Sequence, residues 1–212
     1  MKETESNDLY KTLSGATEEA VYKEKGSRFI GAAFPVSREE EITEIIQKLK
    51  KEHHKARHCC YAYRIGAGQE QYRVNDDGEP SHSAGMPIYG QILSFGLTNV
   101  LVTVVRYFGG VKLGVGGLMN AYKTAAQLTL EKAEIITKSI DQEVEITFAY
   151  EHMNMVMKVI REYNQEIKEQ VMELHCRMVL SVRKNRFEKM YQALKSLRIG
   201  EVKKSEQLPD FL

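Results

Sequence analysis

"VVRYFGGVKLGVGGLMNAYKTAA", residues 104–126, is the stretch that decides the fold of this chain. Five of the nine residues of its glycine loop (Gly109–Gly117) are glycine. An apolar, strand-like run precedes the loop, and apolar residues at helical spacing follow it. The pattern predicts a strand, a loop and a helix. Such a loop either holds an anion on backbone N–H groups at the start of the helix, or turns the backbone where a side chain would not fit.

The glycine loop does not match the named phosphate-binding motifs. The pattern G-x-x-x-x-G-K-[ST] fails because Val115 follows Gly114 where lysine is required. The pattern G-x-G-x-x-G fails because Met119 stands where the third glycine is required. We therefore expect no nucleotide cofactor, while an anion, a nucleic-acid backbone or plain helix–strand packing all remain open. The candidate anion-binding or nucleic-acid-binding residues are Arg106, Lys112, Gly114, Gly116 and Gly117.

The segments around the loop alternate between strands and helices. The run "NVLVTVVRYF", residues 99–108, is apolar and β-branched, which is typical of a strand at the centre of a sheet. The helix after the loop is expected to begin near Gly116 and to end near Ala133. Upstream, strands are expected within residues 20–36, 58–66 and 72–80, and helices within residues 37–54 and 83–96.

A second series of elements begins after this helix. Residues 140–150, "IDQEVEITFAY", alternate as a strand, and a helix, two strands, a further helix and a last strand near Val202 follow. That order is typical of a ferredoxin-like domain. The predicted fold class is therefore α+β with two domains. The expected organisation is a loose N-terminus at residues 1–16, a first domain at residues 17–138 and a ferredoxin-like domain at residues 139–212.

A second polar cluster, "NDDGEPSHSAG", occupies residues 75–85. Its carboxylates are close enough in sequence to hold Mg²⁺ or Ca²⁺, although the spacing departs from the calcium-loop pattern. A serine beside a histidine can take part in catalysis, and a turn followed by a capped helix needs neither ligand nor reaction. These interpretations stay open, and no metal is assigned. The candidate residues of this acidic cluster are Asp76, Asp77, Glu79, Ser81 and His82.

His58 is a further candidate. It lies four residues after His54 and immediately before Cys59 and Cys60. Neighbouring cysteines in a strand point to opposite faces, and no further ligand stands at a metal-binding spacing. A packed or hydrogen-bonded His58 is therefore favoured over a metal ligand.

The overall charge indicates no particular partner, since 30 Lys and Arg residues oppose 29 Asp and Glu residues. Two stretches, Lys48–Arg64 and Arg177–Arg198, are locally basic, and each can contact phosphate groups or form a solvated helix face. The polar residues 1–13 hold no signal segment, and no apolar run reaches the roughly 18 residues that a membrane span requires. We expect a cytoplasmic protein without a membrane partner.

Four motifs, taken in order, resemble the IMPACT family and in particular its bacterial members. "KGSRFIG" (Lys25–Gly31) resembles K-x-S-x-F-I, and "ARHCCYA" (Ala56–Ala62) resembles A-x-H-x-C-x-A. "DDGEPSHSAGMP" (Asp76–Pro87) resembles D-D-G-E-P-S-G-T-A-G-x-P. The longest motif, V-x-R-Y-F-G-G-x-K-L-G-x-G-G-L-x-x-A-Y, matches residues 104–122.

The resemblance covers residues 18–135 and implies both a fold and a field of function. It implies an N-terminal domain of the β-α-β type found in a small-subunit ribosomal protein and in elongation factor G, and a C-terminal domain like the ferredoxin-type domain of elongation factor G. Eukaryotic relatives act in translational control, so the implied partners are RNA, the ribosome or a translation-associated protein. His82 and Ser83 replace the family's usual Gly-Thr, which puts a backbone contact there in doubt or adds an imidazole.

Two hypotheses of function follow. In the first, the chain is a regulatory or RNA-binding module of the translation apparatus, supported by the glycine loop with Lys112 and by the basic stretches. In the second, it is a hydrolase or transferase that acts on a phosphorylated or acidic small molecule, with the glycine loop and the acidic cluster facing one cleft. Neither hypothesis requires a cofactor.

Overall fold

The computed structural model describes residues 8–68 and 70–205, and these residues divide into two units. One unit comprises residues 10–138, and the other comprises residues 8–9 and 139–205. Both units combine helices with β-sheets, so the chain has the predicted α+β class. Within the described residues, no helix is both long enough and apolar enough to cross a bilayer.

The first unit is built on a five-stranded sheet. In chain order, residues 9–139 form β1 (Leu9–Leu13), β2 (Ala20–Glu24), β3 (Ser27–Pro35), α1 (Glu39–Glu52), β4 (His58–Ile65), β5 (Gln71–Asn75), α2 (Gly85–Ser94), β6 (Val100–Tyr107), α3 (Gly114–Glu131) and β7 (Ile135–Ser139). The sheet has the order β2-β3-β6-β4-β5, and every neighbouring pair is antiparallel. A separate two-stranded sheet pairs β1 with β7.

The central strand β6 is buried on both faces, as its apolar composition predicts. Val102 and Val104 belong to the core cluster that includes α2 and α3, whereas Leu101 and Val105 pack with residues of α1. The alternation arises because successive side chains of a strand point to opposite faces. The sheet therefore lies between α1 on one face and α2 with α3 on the other.

Helix α3 begins at Gly114, two residues earlier than the sequence predicted, and it ends at Glu131. Its buried side includes Leu118, Ala121 and Tyr122, whose spacing of three and four residues places them on one face of the helix. Close approach to β3 depends on small residues, because a Cβ atom at Gly31 would overlap the side chain of Thr129. The helix thus lies close against the sheet with its first turn at the glycine loop.

The second unit has the ferredoxin-like arrangement that the sequence predicted. Its elements are β8 (Asp141–Ala149), α4 (Met153–Glu162), β9 (Ile167–Val171), β10 (His175–Arg183), α5 (Lys184–Ser196) and β11 (Gly200–Ser205), with one turn of 3-10 helix before α4. The antiparallel sheet has the order β11-β8-β10-β9. Alternate residues of β8, namely Val144, Ile146 and Phe148, share one core cluster with α4 and α5.

The prediction of a loose N-terminus at residues 1–16 was wrong for its described part. Residues 1–7 lie outside the described residues. Residues 9–13 form β1, in which Leu13 is buried, and the N–H of Ser14 donates to the carbonyl oxygen of Glu134 at 2.9 Å. A five-residue strand shows little periodicity, and its partner strand is distant in the sequence, so no local pattern reveals it.

Candidate functional site

Asp76 caps helix α2 from outside the helix. Its Oδ1 accepts N–H bonds from Ala84 at 2.9 Å and Gly85 at 2.8 Å, and its Oδ2 accepts one from His82 at 2.8 Å. Helix starts carry N–H groups without a partner inside the helix, and a carboxylate satisfies them. Burial disfavours the charge, but the three N–H bonds outweigh it and hold the pKa of Asp76 below its usual value. This residue therefore fits the turn-and-cap interpretation.

Asp77 and His58 hold each other in place. The carboxylate of Asp77 accepts bonds from Lys50 Nζ and from the N–H of Cys59, both at 2.7 Å. The carbonyl oxygen of Asp77 lies 2.8 Å from Nδ1 of His58, and because a carbonyl only accepts, Nδ1 carries the hydrogen. The Nε2 atom is then the acceptor of neutral His58. His58 is thus hydrogen-bonded, as favoured from the sequence.

The side chain of Glu79 is buried, and only 4% of it is exposed. Its Oε1 accepts a bond from Arg106 Nη1 at 2.6 Å and another from the Tyr122 hydroxyl at 2.8 Å. Burial raises the pKa of Tyr122, so its hydroxyl keeps the proton that it donates. The second guanidinium nitrogen, Nη2, lies 3.5 Å from Ser27 Oγ. A buried charge is tolerated only when it is paired and hydrogen-bonded, and this network supplies both.

Ser81 and His82 are exposed. His82 has a φ angle of 62°, a conformation that glycine adopts most readily, which accounts for the family's usual glycine at this position. Its N–H nevertheless donates to Asp76, so the backbone contact is kept despite the substitution. The imidazole ring forms no hydrogen bond with a described residue.

The glycine loop turns the backbone through a crowded point. A Cβ atom at Gly109 would overlap the backbone of Gly26 and Ser27, and the N–H of Gly109 donates to Ser27 Oγ at 3.2 Å. Gly110 and Gly114 have positive φ angles of 88° and 72°, which side chains other than glycine rarely adopt. The need to turn the backbone where a side chain would not fit thus accounts for three of the five glycines.

The N-terminus of α3 is exposed and lacks a side-chain cap. Leu113 stands at the N-cap position, and no side chain of the described chain bonds the first N–H groups of the helix. The first turn contains no acidic residue. Gly116 is exposed, Gly117 is half-buried, and Lys112 is exposed without a hydrogen bond or ion pair to any described residue. The backbone turn of the loop does not explain why this helix start is uncapped.

The two clusters singled out from the sequence meet through buried contacts. Arg106, at the end of β6, and Tyr122, on α3, both bind Glu79 of the acidic segment. Arg106 is therefore turned inward. Its guanidinium group is not available to the surface anion that the sequence predicted it to bind. The carboxylates of Asp76 and Asp77 are likewise bound to donors within the unit.

A polar pocket lies beside His58, and the sequence did not reveal it. It has a volume of about 270 Å³ and lies where the end of α1 meets the start of β4. The basic stretch Lys48–Arg64 contains most of its charged residues, but sequence spacing does not show which of them converge. Arg64, for example, belongs to the same stretch and instead pairs with Glu70.

The cysteines of β4 are not activated. Burial, together with the nearby Asp77 carboxylate, raises the pKa of the Cys59 thiol to about 11. Burial also raises the pKa of Cys60, whose Sγ lies 3.0 Å from the carbonyl oxygen of Asp76. A nucleophilic cysteine requires a lowered pKa, so neither residue is equipped for that role. Among the described residues, no three His, Cys, Asp or Glu side chains are placed to hold a metal ion.

The sequence of the first unit is similar to that of known proteins. The family model for the Impact N-terminal domain matches residues 25–130. The IMPACT family member YvyE of Bacillus subtilis is 37% identical over 160 residues, which are 76% of this chain and 73% of that protein. The IMPACT family member YigZ of Escherichia coli is 36% identical over 121 residues, which are 54% of this chain and 59% of that protein.

A solved structure of a hypothetical protein shares the fold of the chain. It has a TM-score of 0.71 and 23% sequence identity, and the match covers 94% of this chain and 98% of that one. At this identity the likeness concerns the fold alone. The family model spans half of the chain, and the match to YvyE covers more than two thirds of both proteins. This chain therefore belongs to the IMPACT family.

Proposed function

We propose that this chain is a translation-associated binding module of the cytoplasm, and that its glycine loop contacts the phosphate groups of RNA. Membership of the IMPACT family supports the field of function, since the family resemblance implies a role in translational control. The choice of the loop as the contact rests on its geometry and charge. The proposal concerns the first unit, in which the loop lies.

The uncapped N-terminus of α3 is the observation that carries this proposal. An exposed helix start directs N–H groups without partners, and the positive end of the helix dipole, toward solvent. Lys112 adds a full positive charge two residues earlier. The charge of the Glu79 carboxylate is offset by its ion pair with Arg106. A phosphate group at this position would meet donors and a favourable potential.

The basic stretch of the second unit gives weaker support. Arg177 forms ion pairs with Glu145 at 2.7 Å and with Glu169 at 3.2 Å, so its charge is already neutralised. The exposed basic residues of α5 include Lys184, Arg186 and Lys189. These lysine and arginine side chains suit a secondary contact with a nucleic-acid backbone rather than a site that selects a ligand.

Binding of a labelled single-stranded RNA, followed by fluorescence anisotropy at several salt concentrations, tests this proposal. Lys112→Ala is expected to weaken binding and to reduce the slope of log affinity against log salt by about one, because one phosphate contact is lost. Lys138→Ala is the matched control, since Lys138 is an exposed lysine of the same unit that follows the other end of α3. Equal affinity and slope in the two variants would remove the loop as the RNA contact.

One observation favours an enzyme as the second candidate. His58 lines the pocket with Nδ1 fixed by a carbonyl oxygen, an orientation that prepares Nε2 to act as a general base. The candidate reaction is hydrolysis or transfer on a phosphorylated or acidic small molecule. Turnover of p-nitrophenyl phosphate that is lost in His58→Gln and kept in His175→Gln, which changes an exposed histidine of the second unit, would support it. Absence of turnover in the wild type, or equal turnover in all three proteins, would count against it.

A further inference from the structure

The pocket beside His58 is lined mostly by basic side chains and contains no residue of the glycine loop. Its polar lining comes from the last turn of α1, the connection to β4, the first residues of β4 and the acidic segment. The polar side chains that matter here are Lys50, His53, His54, Arg57, His58 and Asp77. Five of these six side chains are basic residue types, and one is acidic. The lining is therefore suited to an anion.

The single carboxylate of the lining does not leave a free acceptor. One oxygen of Asp77 is bound to Lys50 Nζ, and the other is bound to the N–H of Cys59. The ion pair with Lys50 leaves Arg57 as an uncompensated cation of the pocket. An anionic ligand would thus approach a net positive charge without a facing free carboxylate in the lining.

Two further carboxylates face the histidines from outside the lining. Glu19 Oε1 lies 3.4 Å from Nε2 of His53, and Glu79 Oε1 lies 3.9 Å from Nε2 of His58. Glu79 is already bound to Arg106. The side chain of Glu19 is half exposed, so its effect on the pocket is screened by water.

Two side chains of the pocket, those of Arg57 and His54, are the candidate donors to a ligand. Arg57 and His54 form no hydrogen bond or ion pair with any residue in the described ranges. The guanidinium carbon of Arg57 lies 5.9 Å from the centre of the Phe108 ring, which stabilises the cation while leaving its N–H groups free. A guanidinium group offers parallel N–H bonds that match two phosphate oxygens.

We propose that this pocket binds a small molecule carrying a phosphate monoester, with Arg57 as its main donor. The guanidinium group of Arg57 can donate to two oxygens in parallel, and the ring of His54 can donate to a third, which matches the three terminal oxygens of a phosphate monoester better than the two oxygens of a carboxylate. A volume of about 270 Å³ lies just below the usual range for small-molecule sites, which favours a compact metabolite over a polymer. The inference goes beyond the proposed RNA contact, because the ligand is small and Lys112 does not line the pocket.

Isothermal titration calorimetry of the full chain with adenosine monophosphate, inorganic phosphate and adenosine tests the inference. Adenosine monophosphate and phosphate are expected to bind, and adenosine is expected not to bind, because recognition depends on the phosphate. Arg57→Gln should weaken adenosine monophosphate binding by about tenfold or more, the effect of losing a charge-assisted hydrogen bond. His54→Gln should weaken it by a smaller factor.

Two control variants show whether the loss of binding is specific to Arg57. Arg73→Gln removes another exposed arginine of the same unit, on the edge strand β5, and should bind like the wild type. Lys112→Ala should also bind adenosine monophosphate normally, even if it loses RNA, which distinguishes the two proposals. The inference is overturned if adenosine binds as well as its monophosphate, if no phosphate compound binds at millimolar concentration, or if Arg57→Gln, folded by circular dichroism, binds like Arg73→Gln.

Discussion

Arg106 Nη1 donates to Glu79 Oε1 at 2.6 Å, and the two side chains are only 6% and 4% exposed. The pair joins residues 27 positions apart and ties the acidic segment to the end of the central strand. Tyr122 of α3 binds the same carboxylate oxygen. One buried carboxylate thus connects the acidic segment, strand β6 and helix α3, which together carry two of the four family motifs.

Breaking this pair should destabilise the first unit strongly. Glu79→Ala is expected to lower the free energy of unfolding by about 3–5 kcal/mol, because it leaves the Arg106 charge buried without a partner. Urea unfolding followed by circular dichroism measures the change. Glu52→Ala is the control, since its 4.0 Å pair with Lys48 is exposed and should contribute less than about 1 kcal/mol. A loss in Glu79→Ala no larger than in the control would contradict the role assigned to the pair.

Asp76 should make stability sensitive to acid. Its folded-state pKa is lowered, so below the unfolded-state value of about 3.9 the unfolded chain takes up a proton before the folded chain does. The stabilisation is therefore complete above about pH 4 and is lost as the pH falls toward the folded-state pKa. Asp76→Asn should cost about 1 kcal/mol at pH 7, because an amide has only one oxygen and the N–H of His82 loses its acceptor. It should also reduce the loss of stability between pH 4 and pH 3.

Unfolding curves at pH 7, 4 and 3 check this expectation for Asp76. Glu131→Gln provides the control, because Glu131 is an exposed carboxylate near the end of α3 and bonds only Gln127 among the described residues. Between pH 7 and pH 3, this control should lose as much free energy of unfolding as the wild type does. If Asp76→Asn and the wild type lose the same free energy of unfolding on acidification, Asp76 does not cause the acid sensitivity.

The glycines of the loop should respond in opposite directions to alanine. Gly109→Ala should lower the free energy of unfolding by about 2 kcal/mol or more, because its Cβ atom would overlap the backbone of Gly26. Gly116→Ala should raise it by about 0.5 kcal/mol, because open space surrounds this position and alanine restricts the unfolded chain. Thermal and urea unfolding of both variants provide the measurement. Destabilisation by Gly116→Ala would contradict the expectation that a Cβ atom fits into the open space at this position.

Cys59 should resist alkylation at pH 8. Its pKa of about 11 leaves the thiol protonated, whereas an unfolded thiol with a pKa of about 8.5 is partly ionised. The protonated Cys59 thiol stabilises the folded chain fully below about pH 8.5. This stabilisation is lost as the pH rises toward 11, because the thiol of the unfolded chain loses its proton first. Mass spectrometry after iodoacetamide treatment, with and without urea, measures the rates. Equal rates in both conditions would contradict the burial of this thiol.

The sequence by itself determined the elements whose signals are local. The apolar run before the loop predicted the central strand β6, and alternation with helical spacing predicted the ferredoxin-like second unit. The motifs between Lys25 and Tyr122 indicated the family. These predictions succeed because periodicity and motif spacing are properties of neighbouring residues, which the printed sequence displays directly.

Only the tertiary structure decided which polar groups meet. It paired β1 with β7 and turned Arg106 inward to Glu79. It also brought Arg57 and Asp77 to one pocket. Each of these contacts depends on strand register and helix packing between segments far apart in the chain. A charged residue carries no mark in the sequence that tells whether its partner will be a buried side chain, a helix end or a ligand.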